Sequence, residues 1–151
     1  MELPGRCRTN EIDRRVAYTD LAPSFQISED CLYLNVIRPA GCSAEDKLPV
    51  AFWIHGGGFF QGGGIDQRYN LSFTVENSQK IGKPIIGVSI NYRLSAWGFL
   101  SGSEEVRDAG NLNLGLRDQR LALQWVQENI EAFGGTLIYD RFEAHELTQD
   151  R

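Results

Sequence analysis

Leu48-Pro49-Val50-Ala51-Phe52-Trp53-Ile54 is a nearly unbroken apolar run, and it passes directly into His55-Gly56-Gly57-Gly58-Phe59. The run has the length and character of a strand buried on both faces of a parallel sheet, and its position predicts a central one. Three consecutive glycines at its end let the backbone turn tightly and aim N–H groups outward, because no Cβ restricts φ or blocks an approaching ligand. Donors fixed in that way suit a developing oxyanion in acyl transfer, where each contributes about 3 kcal/mol to lowering the barrier. The Gly-Xaa-Ser-Xaa-Gly elbow that such a loop normally serves does not occur in the 151 residues.

The surrounding pattern is that of an α/β layered domain. Cys31 to Pro39 alternates and reads as a strand, and Gly41 to Leu48 as a polar connection. The segment from Gly62 to Gly82 supplies a crossover with helical character over Phe73 to Lys80, and Pro84 to Tyr92 is a second buried, β-branched strand. Asn111 or Asn113 can cap a helix reaching Phe133, with Leu116, Gln119, Leu123, Val126, Ile130 and Phe133 on one face and Gly134-Gly135 as its stop. Strand, crossover, strand and long helix in that order imply right-handed α/β connections.

Four stretches carry a resemblance: Ser28-Glu29-Asp30-Cys31-Leu32-Tyr33-Leu34-Asn35-Val36; Trp53 to Phe59; Val88-Ser89-Ile90-Asn91-Tyr92-Arg93-Leu94-Ser95-Ala96-Trp97-Gly98-Phe99-Leu100; and Gly110 to Ile130. In order and spacing they resemble the type-B carboxylesterase and lipase family, the α/β-hydrolase branch that includes the cholinesterases. The resemblance spans Ala22 to Gly135; Met1 to Leu21 is a divergent N-terminal segment, and Thr136 to Arg151 is an unmatched tail. The expected fold is therefore a partial α/β-hydrolase fold, a mostly parallel sheet with flanking helices, truncated before the nucleophile elbow. The family's nucleophile, acid and base have no counterparts, and the chain is expected to be a fragment truncated at both ends.

The resemblance implies serine-dependent hydrolysis of carboxylic esters, with a small ester or a lipid as substrate and no cofactor. It places the oxyanion donors on the backbone N–H groups of Gly57 and Gly58, and puts Phe59, Phe60, Trp97 and Phe99 at loops that line the substrate pockets. For Trp97 and Phe99 core packing is the preferred reading. It also implies half a disulfide at Cys31, whose partner lies upstream and could only be Cys7; the alternative is three free thiols, Cys42 included. Without a nucleophile the chain is expected to be inactive alone. The rival from another class is a non-catalytic binding module like the cholinesterase-like adhesion proteins, and a third reading is complementation by a separate C-terminal half.

Other candidates have blander explanations. His55 precedes the glycines at a strand end, where family members vary among His, Tyr and Phe, so it is assigned to packing and loop fixing. His145 lies in the unmatched tail and has no nucleophile to serve. Ser89 sits inside a buried strand, Glu29 and Asp30 are structural, and Asp118 is a structural hydrogen-bonding group on the long helix. No His or Cys spacing suits a metal. A net charge of −5 offers no basic stripe for phosphate backbones, so nothing recommends a nucleic-acid partner. The start lacks the apolar core of a secretion signal and no run is long enough to span a membrane, so the chain as written is expected to stay in the cytoplasm, although the family is often secreted. The edge of the strand Val50 to Ile54, without the neighbour that an elbow strand would provide, is expected to drive self-association.

Overall fold

The computed structural model describes residues 28–136, and the architecture below is that of the unit beginning at Cys31. Four strands form one sheet in the order β1-β3-β2-β4: β1 Leu34–Ile37, β2 Leu48–Ile54, β3 Ile86–Ile90 and β4 Gly135–Thr136. The sheet is mixed, since β1 runs antiparallel to β3 (Leu34 opposite Ile90) while β2 is parallel to both β3 (Val50 opposite Ile86) and β4 (Leu48 opposite Gly135). The helices are α1 Ser72–Lys80, α2 Ser95–Phe99, α3 Glu104–Asp108 and α4 Leu114–Asn129, the last continued by a 3₁₀ turn over Ile130–Phe133. β2, α1 and β3 are the strand, crossover and strand expected from the sequence.

Alternation along β3 divides its side chains between two layers. Ile86, Val88 and Ile90 face α4 and form the core with Val126 and Ile130, all at most 2% exposed. Leu34, Val36, Val50, Phe52, Trp125 and Phe133 pack around that centre. On the opposite face Gly87 leaves room for Leu71 and Val75, so α1 lies close against the strand. Both faces of β3 are thus covered and all five of its residues are buried.

Three expectations need correction. β2 lies inside the sheet, but none of its seven residues is fully buried. Exposure alternates along it, with Pro49 and Ala51 open on one face while Leu48, Val50 and Phe52 pack against the core on the other; among the described residues β4 pairs only with Leu48 and Pro49, which leaves Val50 to Ile54 partnered on the β3 side alone. The buried face of α4 is also rotated from the expected one. Leu116 is 44% exposed, and the inward line runs through Gly115, Asp118, Ala122, Val126 and Ile130. The rotation follows from Gly115, whose missing Cβ lets the helix approach the Arg93 carbonyl and the Phe99 ring; an added Cβ would lie 2.4 and 2.6 Å from them. Finally, Asn113 occupies the cap position in the left-handed region, φ 55°, and makes no side-chain capping bond. The helix does stop where expected, with Gly134 at φ 85°.

Among the described residues no helix is long and apolar enough to cross a membrane.

Candidate functional site

The glycine loop leaves the C-terminal end of β2 and folds back on itself. Phe60 and Gln61 both donate their N–H to the Gly57 carbonyl, at 3.1 and 3.2 Å, closing a turn over residues 57–61. Gly57 sits at φ 121°, where an added Cβ would lie 1.8 Å from the Gln61 carbonyl oxygen, so only glycine fits. Gly58 follows at φ 60°, with open space where its Cβ would be. The N–H groups of Gly57 and Gly58 donate to no acceptor among the described residues.

Residues from the end of β3 hold this turn in place. The buried Tyr92 hydroxyl donates to the His55 carbonyl at 3.0 Å, and the Tyr92 ring stacks on the His55 imidazole with centroids 4.5 Å apart. Burial, reinforced by the neighbouring Tyr69, pushes the Tyr92 hydroxyl above the ordinary phenol range, so it keeps its proton at neutral pH. Ser95 N–H donates to the Phe59 carbonyl at 2.7 Å, and both residues lie in the left-handed region at φ 52° and 60°. Two non-glycine residues in that region, bonded to each other beside the glycines, mark a backbone held by its surroundings. Asn91 adds a third tie, accepting the Gly64 N–H on its side-chain oxygen at 2.6 Å.

His55 is 2% exposed and enclosed by these contacts, as its assignment to packing and loop fixing requires. Ser89 is buried and its hydroxyl accepts from Asn35 Nδ2 at 3.3 Å, which removes it as a nucleophile. Glu29 and Asp30 are exposed and form no ion pair among the described residues. Phe59 packs on Phe99 and edge-on to Tyr92, at 4.8 and 6.3 Å between centroids, while Phe60 is 73% exposed. Phe99 is half-buried, its ring lying against Phe59 and close to Gly115. Trp97 does not pack in the core as expected, being 80% exposed because Gly98, the buried residue of α2, turns the opposite side of the short helix to solvent. A hollow of about 560 Å³ lies elsewhere, bounded by β1 and residues 64–71, and no residue of the glycine loop lines it.

Among the described residues Cys31 and Cys42 form no disulfide; Cys7, its proposed pairing with Cys31, and His145 lie outside the described residues. Burial leads in pushing the Cys42 thiol up, with Asp46 adding to it. Among the described residues no cluster of His, Cys, Asp or Glu could hold a metal.

A model of the carboxylesterase family matches residues 5–136, extending into the N-terminal segment set apart above. The chain belongs to the carboxylesterase family. This family member is 57% identical over 117 residues to "Secreted lipase 1" of Botryotinia fuckeliana (strain B05.10), covering 75% of the chain and 20% of that lipase. It is 51% identical over 107 residues to "Lipase 2" of Diutina rugosa, with 71% and 19% covered. Among solved structures, Aspergillus niger EstA and a thermophilic pNB esterase each superpose with a TM-score of 0.62 at 45% identity. The matches cover 72% of this chain and 20% and 21% of theirs. The fold is accordingly a part of that of the α/β-hydrolase esterases, and the chain spans about a fifth of the length of the curated relatives it matches.

Asp118 anchors α4 to the segment after β3 that carries Tyr92 and Arg93. Its carboxylate accepts from the Arg93 backbone N–H at 3.0 Å and from the guanidinium Nε and Nη2 at 2.8 and 2.7 Å. Burial alone would raise the Asp118 carboxyl, but the Arg93 hydrogen bonds and positive charge outweigh it and hold the carboxyl below its ordinary range. A folded-state pKa below the unfolded value of about 3.9 stabilises the fold fully above that pH and progressively less as pH falls through the folded value. Asp118→Asn should therefore cost about 1–3 kcal/mol at pH 7 in urea unfolding, toward the lower end because Arg93 is partly exposed. The gap from the parent chain should narrow below about pH 4; a gap that persists unchanged there would show that the ionised pair is not its source.

Proposed function

We propose that this chain supplies the oxyanion-binding loop of a serine-dependent carboxylic-ester hydrolase. The observation that carries the reading is the pair of unengaged N–H groups at Gly57 and Gly58, beside a turn closed through the Gly57 carbonyl. In such a reaction a serine oxygen bonds to the ester carbonyl carbon and the carbonyl oxygen gains negative charge. The intermediate then expels the alcohol, and water repeats the sequence on the acyl-enzyme. The two N–H donors stabilise the oxyanion in both tetrahedral states, and because the turn holds them in advance they need no reorganisation as charge develops. Phe59 and Phe60 border the loop and offer apolar surface to the ester. The names of the lipases and esterases that resemble the chain agree with an ester substrate of small-molecule or lipid type.

The 151 residues contain no Gly-Xaa-Ser-Xaa-Gly, so this polypeptide by itself holds the donors without the attacking atom. Purified alone, it should neither hydrolyse nitrophenyl esters nor take up a fluorophosphonate label; stoichiometric labelling would contradict the reading. A chimaera carrying residues 28–136 in place of the matching stretch of the Botryotinia lipase should hydrolyse esters. In that chimaera Gly57→Ala, which drives the loop off the Gln61 carbonyl, should lower kcat by about 10²–10³-fold with a smaller change in KM. An unchanged kcat would remove Gly57 from the oxyanion site.

The same proposal extends to self-association. From Val50 to Ile54, β2 has one strand partner among the described residues, and an open apolar edge templates pairing with another chain. Sedimentation of the 151-residue chain should show species heavier than 17.0 kDa, and a monodisperse monomer would argue against edge pairing.

A further inference from the structure

We propose that His55 is a positioning residue that sets the direction of the Gly57 N–H through a hydrogen bond from its Nδ1 to the Gly56 carbonyl; the proposal rests on the oxyanion reading above. His55 Nδ1 lies 3.0 Å from the Gly56 oxygen. A carbonyl oxygen can only accept, so the proposed hydrogen bond requires the tautomer with its ring hydrogen on Nδ1. The peptide joining Gly56 to Gly57 is trans, as no cis bond occurs among the described residues, and in a trans peptide the C=O and the following N–H point in opposite directions. Holding the Gly56 oxygen toward the buried imidazole therefore turns the Gly57 N–H away from it.

Two further contacts make this hydrogen bond a latch. Tyr92 stacks flat on the imidazole, at an interplanar angle of 18°, and its hydroxyl fixes the His55 carbonyl, so neither ring nor backbone of His55 is free to turn. From the other side Gly62, at φ 123°, approaches so closely that a Cβ there would lie 2.6 Å from both His55 Nδ1 and the Gly56 oxygen. Glycine at position 62 is thus required by the latch itself. Without the ring donor, the Gly56 and Gly57 backbone, which carries no side chains, would sample other peptide orientations.

Magic-angle-spinning NMR of the full 151-residue chain tests this without needing a monodisperse sample. The chain has two histidines, and His145→Gln assigns their ring signals. At pH 8 the expected result is a hydrogen on His55 Nδ1 with a through-hydrogen-bond correlation to the Gly56 carbonyl carbon; a bare Nδ1 with the hydrogen on Nε2 overturns the proposal. The second readout is the Gly57 N–H order parameter, expected near the rigid value of about 0.85 in the parent chain and below about 0.6 in His55→Phe, which keeps a flat ring against Tyr92 but has no donor. His55→Asn, with an amide nitrogen where Nδ1 stands, should restore order. An order parameter unchanged in His55→Phe overturns the latch, and should that variant not fold, the parent tautomer and His55→Asn carry the test. Neither readout depends on turnover. If Gly57 loses order here while the chimaera is insensitive to Gly57→Ala, the latch stands and the oxyanion reading falls.

Discussion

Everything that positions the glycine loop is attached to one fully buried strand. Ile86, Val88 and Ile90 of β3 press into α4, while Gly87 on the reverse face admits Leu71 and Val75. Burying each large aliphatic side chain contributes about 1.5–3 kcal/mol, more than an exposed ion pair supplies. β3 is consequently the rigid reference of this unit, and the three residues after Ile90 use it as an anchor. Asn91 holds Gly64, Tyr92 holds His55, and Arg93 holds Asp118 on α4. The Arg93 carbonyl is enclosed in turn between Gly98 and Gly115, so α2 and α4 meet at the same point.

This arrangement explains how a run of glycines, the most conformationally free residues in a chain, can present fixed donors. The turn over residues 57–61 closes on the Gly57 carbonyl, and Ser95 takes hold of the Phe59 carbonyl from outside. The left-handed φ values at Phe59 and Ser95 cost energy that the burial around β3 offsets. Backbone N–H groups held in this way act on charge that appears only during reaction, which is the condition for lowering a barrier rather than tightening ground-state binding.

The strands and helices were largely legible because each has a local signature. The apolar, β-branched run around Ile85 to Ile90 announced a buried strand, and Gly134 ended the long helix as a left-handed cap. Burial was less legible, since it depends on neighbours distant in sequence. Val50 to Ile54 is as apolar as β3, yet Ala51 and Ile54 are exposed while Val50 and Phe52 pack against the core. Leu116 looked like a core residue until Gly115 took the inward place, and Trp97 turned outward because Gly98 faces in. At the site, His55-Gly56-Gly57-Gly58 stood out as a motif. Its supports did not, since the Tyr92 bond to His55 crosses 37 positions and the Ser95 bond to Phe59 depends on unusual φ values that the residue types do not announce.

A crystal structure of the chimaera with a phosphonate bound to its nucleophile would test the central claim most directly. The account predicts the phosphonyl oxygen within about 2.7–3.1 Å of both Gly57 N and Gly58 N, with the His55 to Gly56 hydrogen bond intact. A phosphonyl oxygen bound by other donors, with both glycine nitrogens beyond about 3.5 Å, would contradict it.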